Sequence, residues 1–180
     1  MGSLDCNEYE NLRRRDFREY SLGHRIVYET PIKLLTGKKR TIIEAGFGIG
    51  WGLDKMVEAD IIADYVGCEP NADSFKYVNG RHGGKPNIKL NHEPFKRGFG
   101  FAQHVFCIEV IEHVPMEKHA EFIRALRESG QTLWFSTPCK SKVPSEGVRT
   151  TEEWTKLLKQ NGYSDVTVHK EQWTHLCIAQ

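Results

Sequence analysis

The chain has 180 residues, of which 39% are hydrophobic and 27% are charged, and its formal net charge at pH 7 is +1. This composition is typical of one soluble globular domain with a sizeable core, and it excludes a disordered chain. No apolar run reaches the roughly 18 to 20 residues that a membrane-spanning helix needs, and the polar first ten residues are unlike a secretory signal.

The five cysteines indicate a reducing compartment. They are odd in number and far apart, and none forms a CxxC pair, which argues against a disulfide framework and excludes a zinc ribbon. Cys68, Cys107 and Cys177 lie in apolar runs, where cysteine behaves as a small hydrophobic residue. We therefore expect a cytoplasmic protein.

In chain order, the pattern of apolar residues first predicts a helix over residues 9–20, with its arginines mostly away from the apolar side. After it, short apolar strands alternate with amphipathic helices. The predicted strands cover residues 40–45, 65–68, 87–90, 103–108 and 131–136. The predicted helices cover residues 53–60, 71–78, 117–129 and 150–161.

Several helix ends carry recognisable signals. Asn71 or Asp73 is a plausible N-cap for the second of these helices, and Gly130 is expected to end the third. Thr150 and Glu153 have the spacing of a capping box, and Gly162 follows the helix that they begin. These signals indicate that the segments between the predicted strands form helices rather than long loops.

Strands that alternate with helices predict an α/β fold with a doubly wound, mostly parallel sheet. Residues 165–169 and 173–179 form two further alternating segments with no helix between them, so we expect a β-hairpin at one edge of the sheet. We divide the chain into an N-terminal helical cap, residues 1–39, and a ligand-binding catalytic domain, residues 40–180.

The strongest local feature is the glycine-rich segment EAGFGIG, residues 44–50, directly after the first strand of the alternating region. Gly46, Gly48 and Gly50 let the chain turn tightly and let a ligand lie against bare backbone. The dinucleotide fingerprint GxGxxG fails in both registers, because Trp51 and Leu53 stand where its third glycine should be. A nicotinamide-dependent oxidoreductase is therefore disfavoured.

An acidic residue completes this signal. Glu69 stands at the end of the next predicted strand, followed by Pro70. A carboxylate in this position can accept hydrogen bonds from both hydroxyls of an adenosine ribose. A strand, a glycine loop, a helix, a strand and an acid in this order are much rarer by chance than a glycine cluster alone.

With these segments, the chain resembles the class I S-adenosylmethionine-dependent methyltransferases. The resemblance covers residues 40–180 and is carried by the segments EAGFGIG (44–50), VGCEPN (66–71), IKLNHEPF (88–95), CIEVIEHV (107–114) and LWFSTP (133–138). It implies a Rossmann-like, seven-stranded sheet whose last strand is antiparallel, and S-adenosylmethionine as the cofactor.

The same resemblance implies roles for individual residues. Glu44, Gly46, Gly48 and Gly50 would shape the methionine side of the pocket. The Glu69-Pro70 pair would hold the ribose, and Asn91 and His92 would lie near the adenine. Many members carry Asp where this chain has Asn91.

The segment EVIEH, residues 109–113, allows three interpretations. In the first, Glu109 contacts the cofactor region, Glu112 caps the next helix and His113 is an ordinary polar residue. In the second, His113 is the catalytic general base that removes a proton from the acceptor. In the third, the two carboxylates and the imidazole bind a divalent metal.

The EVIEH segment resembles those of ubiquinone-pathway O-methyltransferases and of small-RNA 2′-O-methyltransferases. In the latter a second histidine joins the metal site, and this chain has no histidine between Pro138 and Trp154. Methyl transfer needs no nucleophile from the protein in any interpretation, because positioning supplies most of the rate. We therefore predict no metal site and take His113 as the catalytic candidate.

The remaining signals are weaker. The basic runs Arg13–Arg15 and Lys38–Arg40 are typical of solvated faces, so we expect a small-molecule acceptor rather than nucleic acid. Trp51 can form a wall of the cofactor pocket or part of the core. Lys140, Lys142 and the loop 144–147 follow the fifth predicted strand, where this fold often contacts its acceptor.

The sequence thus predicts a methyltransferase that moves a methyl group from S-adenosylmethionine to an unidentified acceptor, with oxygen favoured over nitrogen and carbon by the EVIEH resemblance. The alternative is a domain of the same fold that binds the cofactor and catalyses nothing.

Overall fold

The computed structural model describes residues 22–138, 149–170 and 174–180. The helix predicted over residues 9–20 lies outside these ranges, as do Lys140, Lys142, the loop 144–147 and Trp173. The proposed division at residue 39 stays a prediction. Among the described residues, no helix has the length and apolar character needed to cross a lipid bilayer.

Seven strands form one sheet in the order β3-β2-β1-β4-β5-β7-β6. Their bounds are β1 Arg40–Ala45, β2 Ile62–Cys68, β3 Ile88–Asn91, β4 Ala102–Ile108, β5 Gly130–Pro138, β6 Val166–Lys170 and β7 Thr174–Ala179. The first five strands pair in parallel, and β7 runs antiparallel to both β5 and β6. The predicted α/β class, the Rossmann-like doubly wound sheet and its antiparallel last strand are confirmed.

In the described ranges, five α-helices cover the sheet: α1 Leu22–Leu35, α2 Trp51–Glu58, α3 Ala72–His82, α4 His119–Glu128 and α5 Thr151–Gln160. Two short 3₁₀ helices, Ile111–His113 and Met116–Lys118, connect β4 to α4. Residues 92–101, which connect β3 to β4, contain no helix.

Alternate side chains of the strands enter two separate cores, as a pleated strand requires. Ile42, Tyr65 and Phe106 belong to the core that packs against α1, α2 and α3. The neighbouring positions Ile43 and Val105 belong to the core under α4 and α5. A sheet buried on both faces leaves its C-terminal edge as the place where a ligand can reach the strands.

Three of the predicted helix-end signals are confirmed. The side chain of Asn71 accepts hydrogen bonds from the backbone N–H groups of Asp73 and Ser74 and caps α3. Thr150 and Glu153 form the reciprocal capping box of α5, and Gly162 after it has a left-handed φ of 101°.

The predicted end of the third helix is confirmed, since α4 ends at Glu128 with Ser129 as its C-cap, directly before Gly130. Gly130 does not take the left-handed conformation of a capping glycine, however, and instead begins β5, where it pairs with Ala102 of β4. A Cβ atom at this position would lie 2.5 Å from Val105 Cγ2 and 2.9 Å from the carbonyl oxygen of Ala102. The glycine therefore serves the close approach of two strands.

Helix α1 was not predicted. Pro31 lies inside it, and proline normally disfavours a helix interior. Val27, Ile32 and Leu35 are buried against the sheet, so tertiary packing outweighs the local cost of Pro31. The sequence pattern alone gives too little weight to this packing.

Candidate functional site

The glycine loop leaves the C-terminal end of β1 and enters α2. The N–H groups of Gly46 and Phe47 donate to the carbonyl oxygen of Cys68 at 2.9 and 3.2 Å, which ties the loop to the end of β2. Gly46, Gly48 and Gly50 all have positive φ, at 75°, 53° and 79°. The three glycines predicted from the sequence are therefore required by the backbone conformation.

The space around the glycines differs. A Cβ atom on Gly46 would lie 2.7 Å from Val110 Cγ2, and one on Gly50 would lie 2.8 Å from Val78 Cγ2. A Cβ atom on Gly48 would meet no atom within 4 Å. Gly46 and Gly50 thus allow close packing behind the loop, whereas Gly48 leaves its open side toward a pocket.

Glu69 is fixed beside this loop by two backbone donors. Its Oε2 accepts a hydrogen bond from the N–H of Gly48 at 2.8 Å, and its Oε1 accepts one from the N–H of Asn71 at 2.8 Å. The residue is only 8% exposed and lines the pocket. Because one oxygen points to each donor, the carboxylate is held rigidly while each oxygen retains further capacity to accept hydrogen bonds.

The pocket has a volume of about 600 Å³ and lies at the C-terminal ends of β1, β2 and β4. Its lining consists of Val27, Tyr28, Gly46, Phe47, Gly48, Ile49, Trp51, Gly52, Glu69, Pro70, Asn71, Ile108, Glu109, Val110 and His113. Two of these residues are acidic, and no Lys or Arg occurs among the described residues of the lining. The pocket is therefore suited to a ligand that is partly apolar and carries no excess negative charge.

A buried ionic cluster supports the glycine loop from behind. Asp54 of α2 pairs with Arg81 and with His82, both of α3, and the Asp54 Oδ1 to His82 Nε2 distance is 2.8 Å. Arg81 also donates to the carbonyl oxygen of Ile49 at 3.4 Å. The cluster thus joins α2 and α3 to a loop residue that lines the pocket.

Glu44 lies at the end of β1, behind the pocket rather than in its lining. It is 1% exposed, and its carboxylate accepts hydrogen bonds from the hydroxyls of Tyr28 at 2.6 Å and Tyr65 at 2.5 Å. Burial raises the pKa of Glu44 to about 7, although the two tyrosine hydroxyls lower it. Glu44 therefore acts on the pocket through Tyr28, which lines it.

Tyr28 reaches the pocket from α1 through a notch in α2. A Cβ atom at Gly52 would collide with the Tyr28 ring, so a larger residue in the first turn of α2 would displace that ring. Tyr28 also packs edge-to-face with Trp51, at a centroid distance of 5.3 Å. Gly52 is thus the sequence signal that could have indicated a close approach here.

Glu109 follows β4 and is held in an uncommon conformation. Its φ is +54°, which L-residues adopt rarely outside functional or strained sites. Its Oε1 accepts hydrogen bonds from the hydroxyls of Ser136 and Thr174, each at 2.8 Å. These bonds orient the carboxylate at the edge of the pocket, where Glu109 belongs to the lining.

Glu112 and His113 lie in the 3₁₀ helix that follows. Burial and the negative charge of Glu109 raise the pKa of Glu112 to about 8. Glu112 does not cap a helix as the first interpretation required, since α4 begins at His119 with no side-chain cap. His113 is exposed and lines the pocket. Within the described ranges, no three His, Cys, Asp or Glu side chains are grouped closely enough to bind a metal ion.

Asn91 and His92 stand one layer outside the pocket. The Asn91 amide donates to the carbonyl oxygen of Gly67 at 3.1 Å. The His92 ring stacks on Phe75 at 5.0 Å and lies 3.2 Å from the carbonyl oxygen of Pro70, which does line the pocket. Asn91 therefore supports the end of β2, and His92 supports the segment that follows it.

The structure brings Gly46, Gly48, Glu69, Pro70, Glu109 and His113 together in one lining, whereas Glu44, Gly50, Asn91 and His92 lie behind it. Trp51, an open alternative from the sequence, is part of the lining. Sequence reasoning missed Val27, Tyr28, Phe47, Ile49, Gly52, Asn71, Ile108 and Val110. Most of them are apolar residues, and whether they line a pocket depends on how the helices and strands pack together. Only Gly52 gave a signal in the sequence itself, as a small residue at a close contact.

Comparison with known proteins gives structural neighbours only. No family model matches the chain, and no curated protein matches it by sequence. Among solved structures, the magnesium protoporphyrin IX methyltransferase ChlM of Synechocystis PCC 6803, with bound S-adenosylmethionine, is 17% identical, with a TM-score of 0.69. The alignment covers 94% of this chain and 84% of that one.

Two further neighbours have similar scores. A S-adenosylmethionine-dependent methyltransferase from Aquifex aeolicus is 14% identical over 98% of both chains, with a TM-score of 0.68. The methyltransferase domain of bacterial CtHen1-CN is 18% identical over 89% of this chain and 100% of that domain, with a TM-score of 0.69. At such low identities the likeness shows a shared fold.

Proposed function

We propose that this chain, which has the fold of the class I S-adenosylmethionine-dependent methyltransferases, binds S-adenosylmethionine in the pocket and transfers its methyl group to an acceptor. The observation that carries the proposal is the Glu69 carboxylate, fixed by the N–H groups of Gly48 and Asn71 in the wall of the pocket. A rigid carboxylate beside a glycine loop fits the two hydroxyls of an adenosine ribose.

The same geometry disfavours a dinucleotide. In a phosphate-binding loop the free N–H groups face the ligand, whereas here the Gly48 N–H already donates to Glu69. Glu69 and Glu109 would also repel a pyrophosphate, because no Lys or Arg is present among the described lining residues. S-adenosylmethionine carries a positive sulfonium and suits this lining better.

Within this proposal, each group has a stated part. Glu69 accepts from the ribose, Pro70, Asn71 and Ile49 face the adenine side, and Asn91 and His92 hold that side from behind. Gly48 leaves room for the methionine side and Gly46 lets Val110 pack closely against the loop there, with Glu44 acting through Tyr28. Glu109 orients the ligand beside His113.

The bound cofactor supplies an activated methyl group, and the protein must position the acceptor and take up its proton. His113 is our candidate for the proton acceptor, since an imidazole is a common general base and His113 lines the pocket. The absence of cations from the described lining favours a small-molecule acceptor over a nucleic acid. Oxygen remains our favoured acceptor atom.

The test is calorimetric titration of the protein with S-adenosylmethionine, S-adenosylhomocysteine and NAD. We expect both adenosyl ligands to bind and NAD not to bind. Glu69→Ala should weaken both adenosyl ligands by about 10- to 100-fold, since hydrogen bonds to a charged group are lost. Asp64→Ala removes an exposed carboxylate from β2, the strand that leads to Glu69, and should leave both affinities unchanged.

A folded wild-type protein that binds neither adenosyl ligand would contradict the proposal. Thermal unfolding of each variant establishes that the protein is folded. If the ligands bind, a panel of hydroxyl and amine acceptors with detection of S-adenosylhomocysteine tests catalysis. His113→Ala should then retain binding and lose most of the turnover. Binding without turnover on any acceptor would indicate the non-catalytic alternative.

A further inference from the structure

Two aromatic side chains from different helices meet in the lining of the pocket. Tyr28 comes from α1 and Trp51 begins α2, and their ring centroids are 5.3 Å apart with the planes at 69°. We call this pair the aromatic wall. Its geometry is fixed by Gly52, whose missing side chain admits the Tyr28 ring.

The hydroxyl of Tyr28 is already committed to another partner. It donates to Glu44 Oε1 at 2.6 Å, and Glu44 is buried with a second short hydrogen bond from Tyr65. A phenol that donates a hydrogen bond to a carboxyl oxygen becomes more polarised, which makes its aromatic ring more electron-rich. Tyr28 therefore presents its ring, rather than its hydroxyl, to a ligand.

The charges of the pocket act in the same direction. Glu69 and Glu109 belong to the lining, and Lys and Arg are absent from its described members. An electron-rich ring near acidic groups attracts a cation, and a cation over a Tyr or Trp ring is favourable by cation–π interaction. The lining is thus built for a positively charged ligand.

We infer that the aromatic wall of Tyr28 and Trp51 recognises the positively charged sulfonium of the cofactor and sets the preference for it over the uncharged thioether product. This inference rests on the proposed function. In methyl transfer the methyl carbon forms a bond to the acceptor atom, and the bond between that carbon and the sulfur breaks. The electron pair of the broken bond stays on the sulfur. The sulfur loses its positive charge, so the wall binds the product less tightly.

The test is calorimetric titration of wild type and Tyr28→Leu with three ligands. S-adenosylmethionine carries a sulfonium, sinefungin carries an amine in its place, and S-adenosylhomocysteine carries a neutral sulfur. In Tyr28→Leu we expect the affinity for both cationic ligands to fall by about 5- to 20-fold, the range of a desolvated cation–π contact. The affinity for S-adenosylhomocysteine should fall by less than about 2-fold.

Two further variants separate the ring from the packing. Trp51→Leu should show the same selective loss of affinity for the two cationic ligands. It replaces Tyr28→Leu in the test if that variant is unfolded. Phe122→Leu removes a partly buried aromatic ring that packs against the core on the opposite face of the sheet, and it should show no ligand selectivity.

An equal loss for all three ligands, or no loss for any of them, would overturn the inference while leaving the proposed function intact. The inference would also be overturned if the affinity for sinefungin changed as little as that for S-adenosylhomocysteine, because the aromatic wall would then recognise the methyl group rather than the positive charge. Wild-type protein that binds none of the three contradicts the proposed function itself, and this inference with it.

Discussion

Two carboxyl groups near the pocket hold their protons more tightly than exposed carboxyls do. Burial raises the pKa of Glu44 to about 7, and burial together with the charge of Glu109 raises that of Glu112 to about 8. Oε2 of Glu112 is buried and has no hydrogen-bond partner. Near neutral pH the folded protein therefore binds protons that the unfolded chain has released.

This difference makes stability depend on pH. Between the ordinary value of 4.5 and about 8, Glu112 is protonated in the folded state and ionised in the unfolded state. The unfolded state then binds fewer protons, so the free energy of unfolding falls as pH rises through this window. The contribution of the protonated Glu112 to the free energy of unfolding is fully present below pH 4.5, and it is lost as the pH rises through the folded-state pKa of about 8.

We therefore predict that Glu112→Gln flattens this dependence. Relative to wild type, the variant should gain on the order of 2 to 4 kcal/mol of stability between about pH 5 and about pH 9. Urea unfolding at several pH values measures the difference. Glu117→Gln, which changes an exposed carboxylate, should run parallel to wild type. If the stability of Glu112→Gln also ran parallel to that of wild type across this pH range, the raised pKa of Glu112 would be contradicted.

At the scale of the element, the glycine loop combines two different requirements. Gly46 has a φ of 75° and no room for a Cβ atom beside Val110, whereas Gly48 has a φ of 53° and open space. Gly48→Ala should cost only the left-handed backbone strain of about 1 to 2 kcal/mol. Gly46→Ala should cost more, by about 1 to 3 kcal/mol, because overpacking adds to the same strain.

Thermal or urea unfolding of the two variants tests this difference, and a double variant identifies its cause. Val110→Ala should recover part of the loss in a Gly46→Ala background, because it removes the methyl group that the new Cβ atom meets. The same change should give no recovery in Gly48→Ala. Equal costs for Gly46→Ala and Gly48→Ala would show that the close contact is unimportant.

The loop is also the element that sequence reasoning predicted best. Alternating glycines after an apolar strand are a local pattern, and so is an acid at the end of the next strand. Gly46, Gly48 and Glu69 could therefore be predicted as pocket residues from the order of these features along the chain. Tyr28 could not be assigned in this way, because it belongs to α1, a helix that contains Pro31 and depends on packing against the sheet. Glu44 shows the same limit, since its position in the chain does not reveal that Tyr28 separates it from the pocket.

At the scale of the molecule, the strand order places β4 in the middle of the sheet and β3 and β6 at its edges. Val105, Phe106 and Cys107 in β4 are buried on both faces of the sheet. We predict that amides of residues 102–108 exchange hydrogen only by global unfolding, and that residues 88–91 and 166–170 exchange much faster. Hydrogen exchange read by mass spectrometry measures this, and uniform protection across the sheet would contradict it.

The alternation of strands and helices was enough to predict a mostly parallel, doubly wound sheet with a terminal hairpin, because these patterns repeat along the chain, whereas the antiparallel last strand came from the family resemblance. It was not enough to predict the pocket, since the lining draws on α1, β1, β2, β4 and the segments that follow them. Ile108 and Val110 illustrate the difference. Both are ordinary apolar residues in sequence, and only the order of the strands brings them opposite the glycine loop.

The two hydrogen bonds that hold Glu69 also affect the cost of binding. A glutamate side chain that is free in solution loses rotamer entropy when a ligand fixes it. Here the N–H groups of Gly48 and Asn71 have already fixed the carboxylate during folding. A ligand that reaches this carboxylate meets a preorganised acceptor, so the conformational entropy has been lost before binding begins and more of the interaction energy appears as affinity.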